Sequence, residues 1–285
     1  MNPQKIAVLI DSCTDVPKEY TEQEGVYSIP VLICYEDGEY RDGIDITAQK
    51  VYERLEQEVP KTSLPSISGV EQVFARIAAD GYDKVIAVTI SSGLSGTHDM
   101  VQLAAAHFDW IETRVIDTKN IGMGAGLTAL HAIWMIQEGR GWEEIVRQLE
   151  WDVENTKIFF CVDTLEYLRK GGRIGLITSV LGTMLNLKPI ISCTSEGVYY
   201  TAAKTRGRKS SLARVISLAQ EFAGQGAYRL AIAHGRAQQE AEEIAGRAEE
   251  LFPGAKALFL GQISPALVVH TGPGLVGVGI QRIMA

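Results

Sequence analysis

A chain of 285 residues has room for two domains or one large one, and 46% hydrophobic with 22% charged residues is the balance of a folded globular protein, not of a disordered one. Its net charge of -8 disfavours nonspecific binding to nucleic acid or to anionic membranes, although Lys204, Arg206, Arg208 and Lys209 stand close enough to form a local basic patch. No stretch approaches the roughly 20 apolar residues of a membrane span, so no integral membrane segment is expected.

The apolar run 6–10 reads as a strand and follows directly on Met1-Asn2-Pro3-Gln4-Lys5. It is too short, and too soon followed by Asp11, to be the core of a signal peptide. The spacing predicts further strands at 26–33, 84–90 and 113–117, and helices at 47–58, 68–80, 95–107, 121–138 and 142–153. In the segment 68–80, for instance, Val70, Val73, Phe74 and Ile77 share one helical face. This alternation predicts a mainly parallel sheet covered by helices.

Beyond Asn155-Thr156 the pattern changes. A strand at 158–162 is followed by a helix capped by Asp163 and stopped after Lys170 by Gly171-Gly172. Strands at 187–193 and 198–204 flank Thr194-Ser195-Glu196-Gly197, a hairpin signal. A helix at 208–223, a strand at 228–233, a helix at 236–251 and a strand at 256–260 complete the second half. The expected fold is a two-domain α/β protein. An N-terminal mainly parallel domain covers 1–155, and a C-terminal α+β domain with a mixed sheet covers 156–285. A cleft between them is the default ligand site.

The four cysteines, Cys13, Cys34, Cys161 and Cys193, include no CxxC pair, which favours buried, reduced thiols in a cytoplasmic protein. His98, His107, His131 and His234 have no spacing suited to zinc, and no metal site is expected. Gly124-Ala125-Gly126-Leu127-Thr128-Ala129 and Gly272-Pro273-Gly274-Leu275-Val276-Gly277 match dinucleotide-binding fingerprints in letters, but neither lies in a βαβ unit with a following acidic residue. Close helix packing explains the first better.

Short polar motifs at the ends of apolar segments carry the functional signal. Ser91-Ser92-Gly93-Leu94-Ser95-Gly96-Thr97 follows a strand and opens a helix. Ligands of α/β sheets sit beyond the carboxyl ends of strands, and helix starts expose free N–H groups. A plain N-cap is the alternative, but the run holds more Ser, Thr and Gly than a cap requires. In Lys61-Thr62-Ser63-Leu64-Pro65-Ser66, Pro65 stiffens a loop from which Thr62 presents its hydroxyl, and a simple helix lead-in is the competing reading. Arg173 follows two glycines and Arg206 ends a strand; either is suited to a carboxylate or phosphate, or is a solvated surface cation. His270 ends the apolar run 266–269 before Gly272-Pro273-Gly274 and is a candidate for a cleft. Asp11-Ser12-Cys13-Thr14-Asp15 reads as a loop-to-helix device, with Mg²⁺ binding as the minor alternative.

Taken in order, Ile10-Asp11-Ser12, Thr62-Ser63-Leu64-Pro65-Ser66, the run 90–97, Asp163-Thr164-Leu165-Glu166-Tyr167-Leu168, Lys170-Gly171-Gly172-Arg173-Ile174, Lys188-Pro189-Ile190 and His270-Thr271-Gly272-Pro273-Gly274 resemble the DegV family. These are fatty-acid-binding proteins that serve as lipid-carrying subunits of bacterial fatty acid kinase. The resemblance implies a long-chain fatty acid in a tunnel between two domains, with no other cofactor and no catalytic residue. Thr62, Ser95 and the backbone at Gly96 would bind the carboxyl group, with His270 beside it. Arg173 and Arg206 would contact a phosphate or the surface of a separate kinase that makes the acyl-phosphate. Gly122-Met123-Gly124 stands where relatives often carry serine, and His98 where an aromatic residue is common. The competing function is a stand-alone phosphotransferase or hydrolase using Asp11, Asp15 and His270 on a small phosphorylated substrate. The absence of a P-loop, a GxSxG elbow and an HExxH motif weakens it.

Overall fold

The apolar sequence of β1 (Ile6–Asp11) is buried along its whole length, as a central strand covered on both faces must be. A computed structural model describes residues 1–175, 177 and 187–284. After β1 come a 3-10 turn (Ser12–Thr14), the short helix α1 (Lys18–Thr21) and β2 (Val26–Ile29). The chain continues through β3 (Leu32–Tyr35), β4 (Gly38–Arg41), α2 (Ala48–Arg54), β5 (Lys61–Ser63) and α3 (Ile67–Ala79). β6 (Lys84–Thr89), α4 (Thr97–Ala105), β7 (Glu112–Asp117), α5 (Met123–Gln137) and α6 (Trp142–Glu154) complete the first half.

β1, β2, β6 and β7 form a parallel sheet in the order β2-β1-β6-β7. The strand period of two sends Ala7 and Leu9 of β1 to one face and Ile6, Val8 and Ile10 to the other. The first pair packs against Val70, Phe74 and Ile77 of α3 and Val101 and Ala104 of α4. The second set packs against Ala129 and Ile133 of α5 and Ile145 and Leu149 of α6.

The strand expected at 26–33 is two strands. Pro30 lacks an N–H for the ladder, and the chain leaves the parallel sheet there. β3 then pairs antiparallel with both β4 and β5 in a separate three-stranded sheet, ordered β4-β3-β5. Thr62, expected on a loop, therefore sits on β5 opposite Ile33.

The second half contains β8 (Thr156–Cys161), α7 (Glu166–Lys170), β9 (Leu187–Cys193), β10 (Tyr199–Arg206), α8 (Arg208–Ala223) and β11 (Tyr228–Gly235). α9 (Gln238–Gly246), α10 (Ala248–Leu251), β12 (Ala255–Gln262), α11 (Pro265–Thr271) and β13 (Leu275–Arg282) follow. The helix expected at 236–251 is thus broken at Arg247. α11 and β13 extend beyond the elements that the apolar pattern predicted. The six-stranded sheet is mixed, ordered β10-β9-β8-β13-β11-β12, with β11 and β12 the parallel pair. Among the described residues no helix is long and apolar enough to cross a membrane.

α5 joins the two halves. Ala129 and Ile133 face the parallel sheet. Leu127 and Leu130 pack with Ala231 of β11, and Thr128 accepts a hydrogen bond from Gln281 of β13. A helix apolar on every side is a helix covered on every side. The Gly124–Gly126 segment is where that packing is tightest: a Cβ on Gly126 would overlap the carbonyl oxygen of Thr14. This is the close approach expected of the glycine run. Gly126→Ala forces a backbone shift in a packed core and is expected to lower unfolding stability by about 1–3 kcal/mol in denaturant titration, with the fold retained.

Candidate functional site

Two carboxylates from the first half hold the start of α11. Asp15 accepts the Ser264 N–H at 2.9 Å, and Asp42 accepts the Ala266 N–H at 3.0 Å. Ser264 and Pro265 begin the helix, and acceptors there complement its free N–H groups. Asp11 ties the end of β1 to the segment after β6 by accepting from Cys13 N–H at 2.8 Å and Ile90 N–H at 2.6 Å. Burial raises all three acids: Asp11 to about 7, Asp15 to about 8 and Asp42 to about 6. Asp15 keeps some accessible surface, yet that surface faces a cavity and not bulk solvent.

The other end of α11 carries His270. Its Nε2 lies 2.7 Å from Thr62 Oγ1 on β5. Its Nδ1 is buried without a partner among the described residues. Burial, with the nearby Arg173 charge adding to it, pushes the His270 pKa down to about 4, so the ring is neutral at physiological pH. Gly171 makes this placement possible, because a Cβ there would overlap the imidazole. Gly272, with φ of +65°, likewise leaves room for the ring of Tyr167. α7 and α11 therefore approach by pairing the glycine that caps the end of each with a ring on the other.

Between the halves lies a cavity of about 260 Å³. The first half supplies Val31, Ile90, Leu94, Ile121 and Met123, and the second supplies Ile158, Phe160, Ile263, Leu267 and Leu275. Thr62, Ser95, Arg173 and His270 also line it, so four of the residues singled out from sequence meet at one void. Arg173 donates from Nη1 to the Gly171 carbonyl at 2.8 Å and from Nε to the Leu94 carbonyl at 3.4 Å, so it reaches across from the second half to the first. Ser95 Oγ lies 2.8 Å from Thr97 Oγ1 and accepts the Thr97 N–H at 3.3 Å. Gly96 is the N-cap of α4, packed beside Leu64, and is not part of the lining. Arg206 ends β10 on the surface, also outside the lining.

Cys13 and Asp15, read from sequence only as part of a loop-to-helix run, also line the void, as do Tyr199 and Phe160, which carried no local motif that sequence reading could use. Of the cysteines, Cys13, Cys161 and Cys193 are buried, Cys34 is half-buried, and all four are free thiols. His131 pairs with the buried Asp152 between α5 and α6, which is a structural role. Among the described residues no three His, Cys, Asp or Glu side chains converge as metal ligands.

A largely apolar cavity with hydroxyls, a neutral imidazole and a guanidinium among its walls therefore lies between the two halves of an α/β protein, the form of a small-molecule site. The DegV family profile, described as an uncharacterised protein family, matches residues 5–282, and the chain belongs to the DegV family. A DegV domain-containing protein of Clostridium acetobutylicum is 39% identical over 282 residues, which cover 98% of this chain and 99% of the relative. The structure is similar to that of a DegV family protein from Thermus thermophilus described for its fatty acid binding. The TM-score is 0.90 and the identity 29%, over 99% of this chain and all of that one. It is also similar to DegV of Bacillus subtilis, described as a fatty acid binding protein. There the TM-score is 0.88 and the identity 28%, again over 99% of this chain and all of that one.

The buried acids set a pH dependence. A carboxyl whose folded pKa lies above its unfolded value costs nothing below the unfolded value, and its full penalty applies above the folded one. Asp15 therefore lowers stability progressively as pH rises from about 4 to about 8. Asp15→Asn keeps an acceptor for Ser264 and removes the charge. Thermal unfolding across this range is expected to show a flatter pH profile for the variant, and a stability at pH 8 no lower than that of the parent.

Proposed function

We propose that this chain binds one long-chain fatty acid in the cavity between its halves, as a two-domain carrier divided near residue 155. The observation that carries the proposal is the meeting of Thr62 and Ser95, from separate motifs, at a void whose other walls are largely aliphatic and aromatic. A tail of about 15 buried carbons, at ~0.8 kcal/mol each, contributes roughly 12 kcal/mol before the entropy cost of binding. The tail supplies the affinity. The hydroxyls, Arg173 and His270 fix where the carboxyl group rests, because a buried carboxylate needs hydrogen bonds or an opposite charge. The fatty-acid binding described for the Thermus thermophilus and Bacillus subtilis proteins supports this reading.

A carrier needs no strong base, and His270, with a pKa near 4, is a weak one. The carboxyl group is then presented to a separate ATP-using kinase that forms the acyl-phosphate. In this reading Arg173 steadies the head group from inside, and Arg206, on the exposed end of β10, meets the phosphate or the partner.

Denaturing extraction followed by mass spectrometry of the purified chain should release close to one fatty acid per chain. Thr62→Ala combined with Ser95→Ala should leave a folded protein that retains about tenfold less lipid on dilution, the loss expected from removing hydrogen bonds to a charged group. Full retention by the double variant, or no lipid in either protein after loading with fatty acid, would count against the carrier. With a fatty acid kinase added, Arg206→Ala should slow acyl-phosphate formation while lipid content stays unchanged. A rate equal to the parent's removes Arg206 from the partner surface.

A further inference from the structure

Resting on the fatty-acid reading, we propose that Thr97 is a positioning residue: it commits the Ser95 hydroxyl to donating, and so biases the polar end of the cavity towards ionised head groups over fatty alcohols. Thr97 is fully buried at the first turn of α4 and is not part of the cavity lining. Its hydroxyl has Ser95 Oγ, 2.8 Å away, as its hydrogen-bond partner among the described residues. That contact has two possible directions, and the surroundings choose between them. If Ser95 donated, the Thr97 O–H would be a buried donor with no acceptor, the costlier arrangement. Thr97 therefore donates. Ser95 Oγ also accepts the Thr97 N–H, at 3.3 Å. A hydroxyl oxygen has two acceptor sites, and both are now taken from behind. What Ser95 has left for the cavity is its own O–H.

The same logic applies to Thr62. The unpartnered His270 Nδ1 lies against Gly171, where a bound proton would be an orphaned donor. The proton thus sits on Nε2 and is given to Thr62 Oγ1. The Thr62 hydroxyl, too, is freed to donate. With Arg173, which has donors only, the donors of Thr62 and Ser95 are matched to oxygens that accept, while one acceptor site stays open on Thr62 and Asp15 lines the cavity beside the start of α11. A carboxylate, or the phosphate of an acyl-phosphate, has only acceptors to offer. An alcohol brings an O–H that the filled Ser95 oxygen cannot receive.

The test uses the full chain stripped of lipid and compares dodecanoic acid with dodecanol at neutral pH, each competing against a fluorescent fatty acid. The parent should prefer the acid. Thr97→Val keeps the shape, removes the hydroxyl and reopens one acceptor site on Ser95; the acid-to-alcohol preference should fall about tenfold. Thr97→Ser should restore it. In a Ser95→Ala chain, Thr97→Val should change the preference no further, since no hydroxyl remains to be directed. An unchanged preference in Thr97→Val, or an equal fall in the Ser95→Ala background, overturns the role of Thr97. Equal binding of acid and alcohol by the parent overturns the acid-selective role of Ser95 while leaving fatty-acid carriage standing. Binding of neither overturns both.

Discussion

The hydrogen bond between Thr62 Oγ1 and His270 Nε2 joins residues 208 positions apart and two halves of different architecture. The polar end of the cavity exists only where those halves meet, so everything proposed for ligand binding depends on that contact. It is held from three directions. β5 fixes Thr62 through its pairing with β3. Asp15 and Asp42 fix the far end of α11. Gly171 lets the imidazole reach its position by having no side chain in the way. Each support comes from a different element.

The site combines groups whose charge states are set by depth. Burial keeps His270 neutral and keeps nearby acids protonated further up the pH scale than exposed carboxyls. Arg173 retains its charge because guanidinium does so in any environment. In the proposed reading, a negative head group would meet the Arg173 charge beside the neutral Thr62 and Ser95 hydroxyls. That is sufficient to orient a carboxylate without burying a second ionised partner, whose desolvation would offset much of what it gained.

Much of this was legible from sequence, for identifiable reasons. Thr62, Ser95, Arg173 and His270 stand at the ends of elements, where polar residues are conspicuous beside apolar runs. The parallel sheet was legible because β1 and β6 are continuous apolar strands flanked by helices of clear period. The small elements were not. β5 has three residues, too few to show alternation, and the β-branched run of α11 gives no helical signature beyond Pro265 at its start. Phe160 and Tyr199 reach the cavity because β8 and β10, on either side of β9, are brought into one sheet, which no local pattern records. Asp42 could not be distinguished from a surface acid until α11 was placed over it. The reason for Gly171 was equally hidden: the sequence marks a helix stop, whereas the requirement is room for a ring from a hundred residues further on.

The helix α5 has no wet face, because one side is coated by the parallel sheet and the other by the mixed one. Neither lobe can therefore melt and leave its neighbour with a water-ready exterior; the survivor would be left with a greasy scar where α5 had been shared. Two sheets that look like separate building blocks are thereby bound to a common fate in denaturant. The molecule should come apart in one step, although its drawing suggests two.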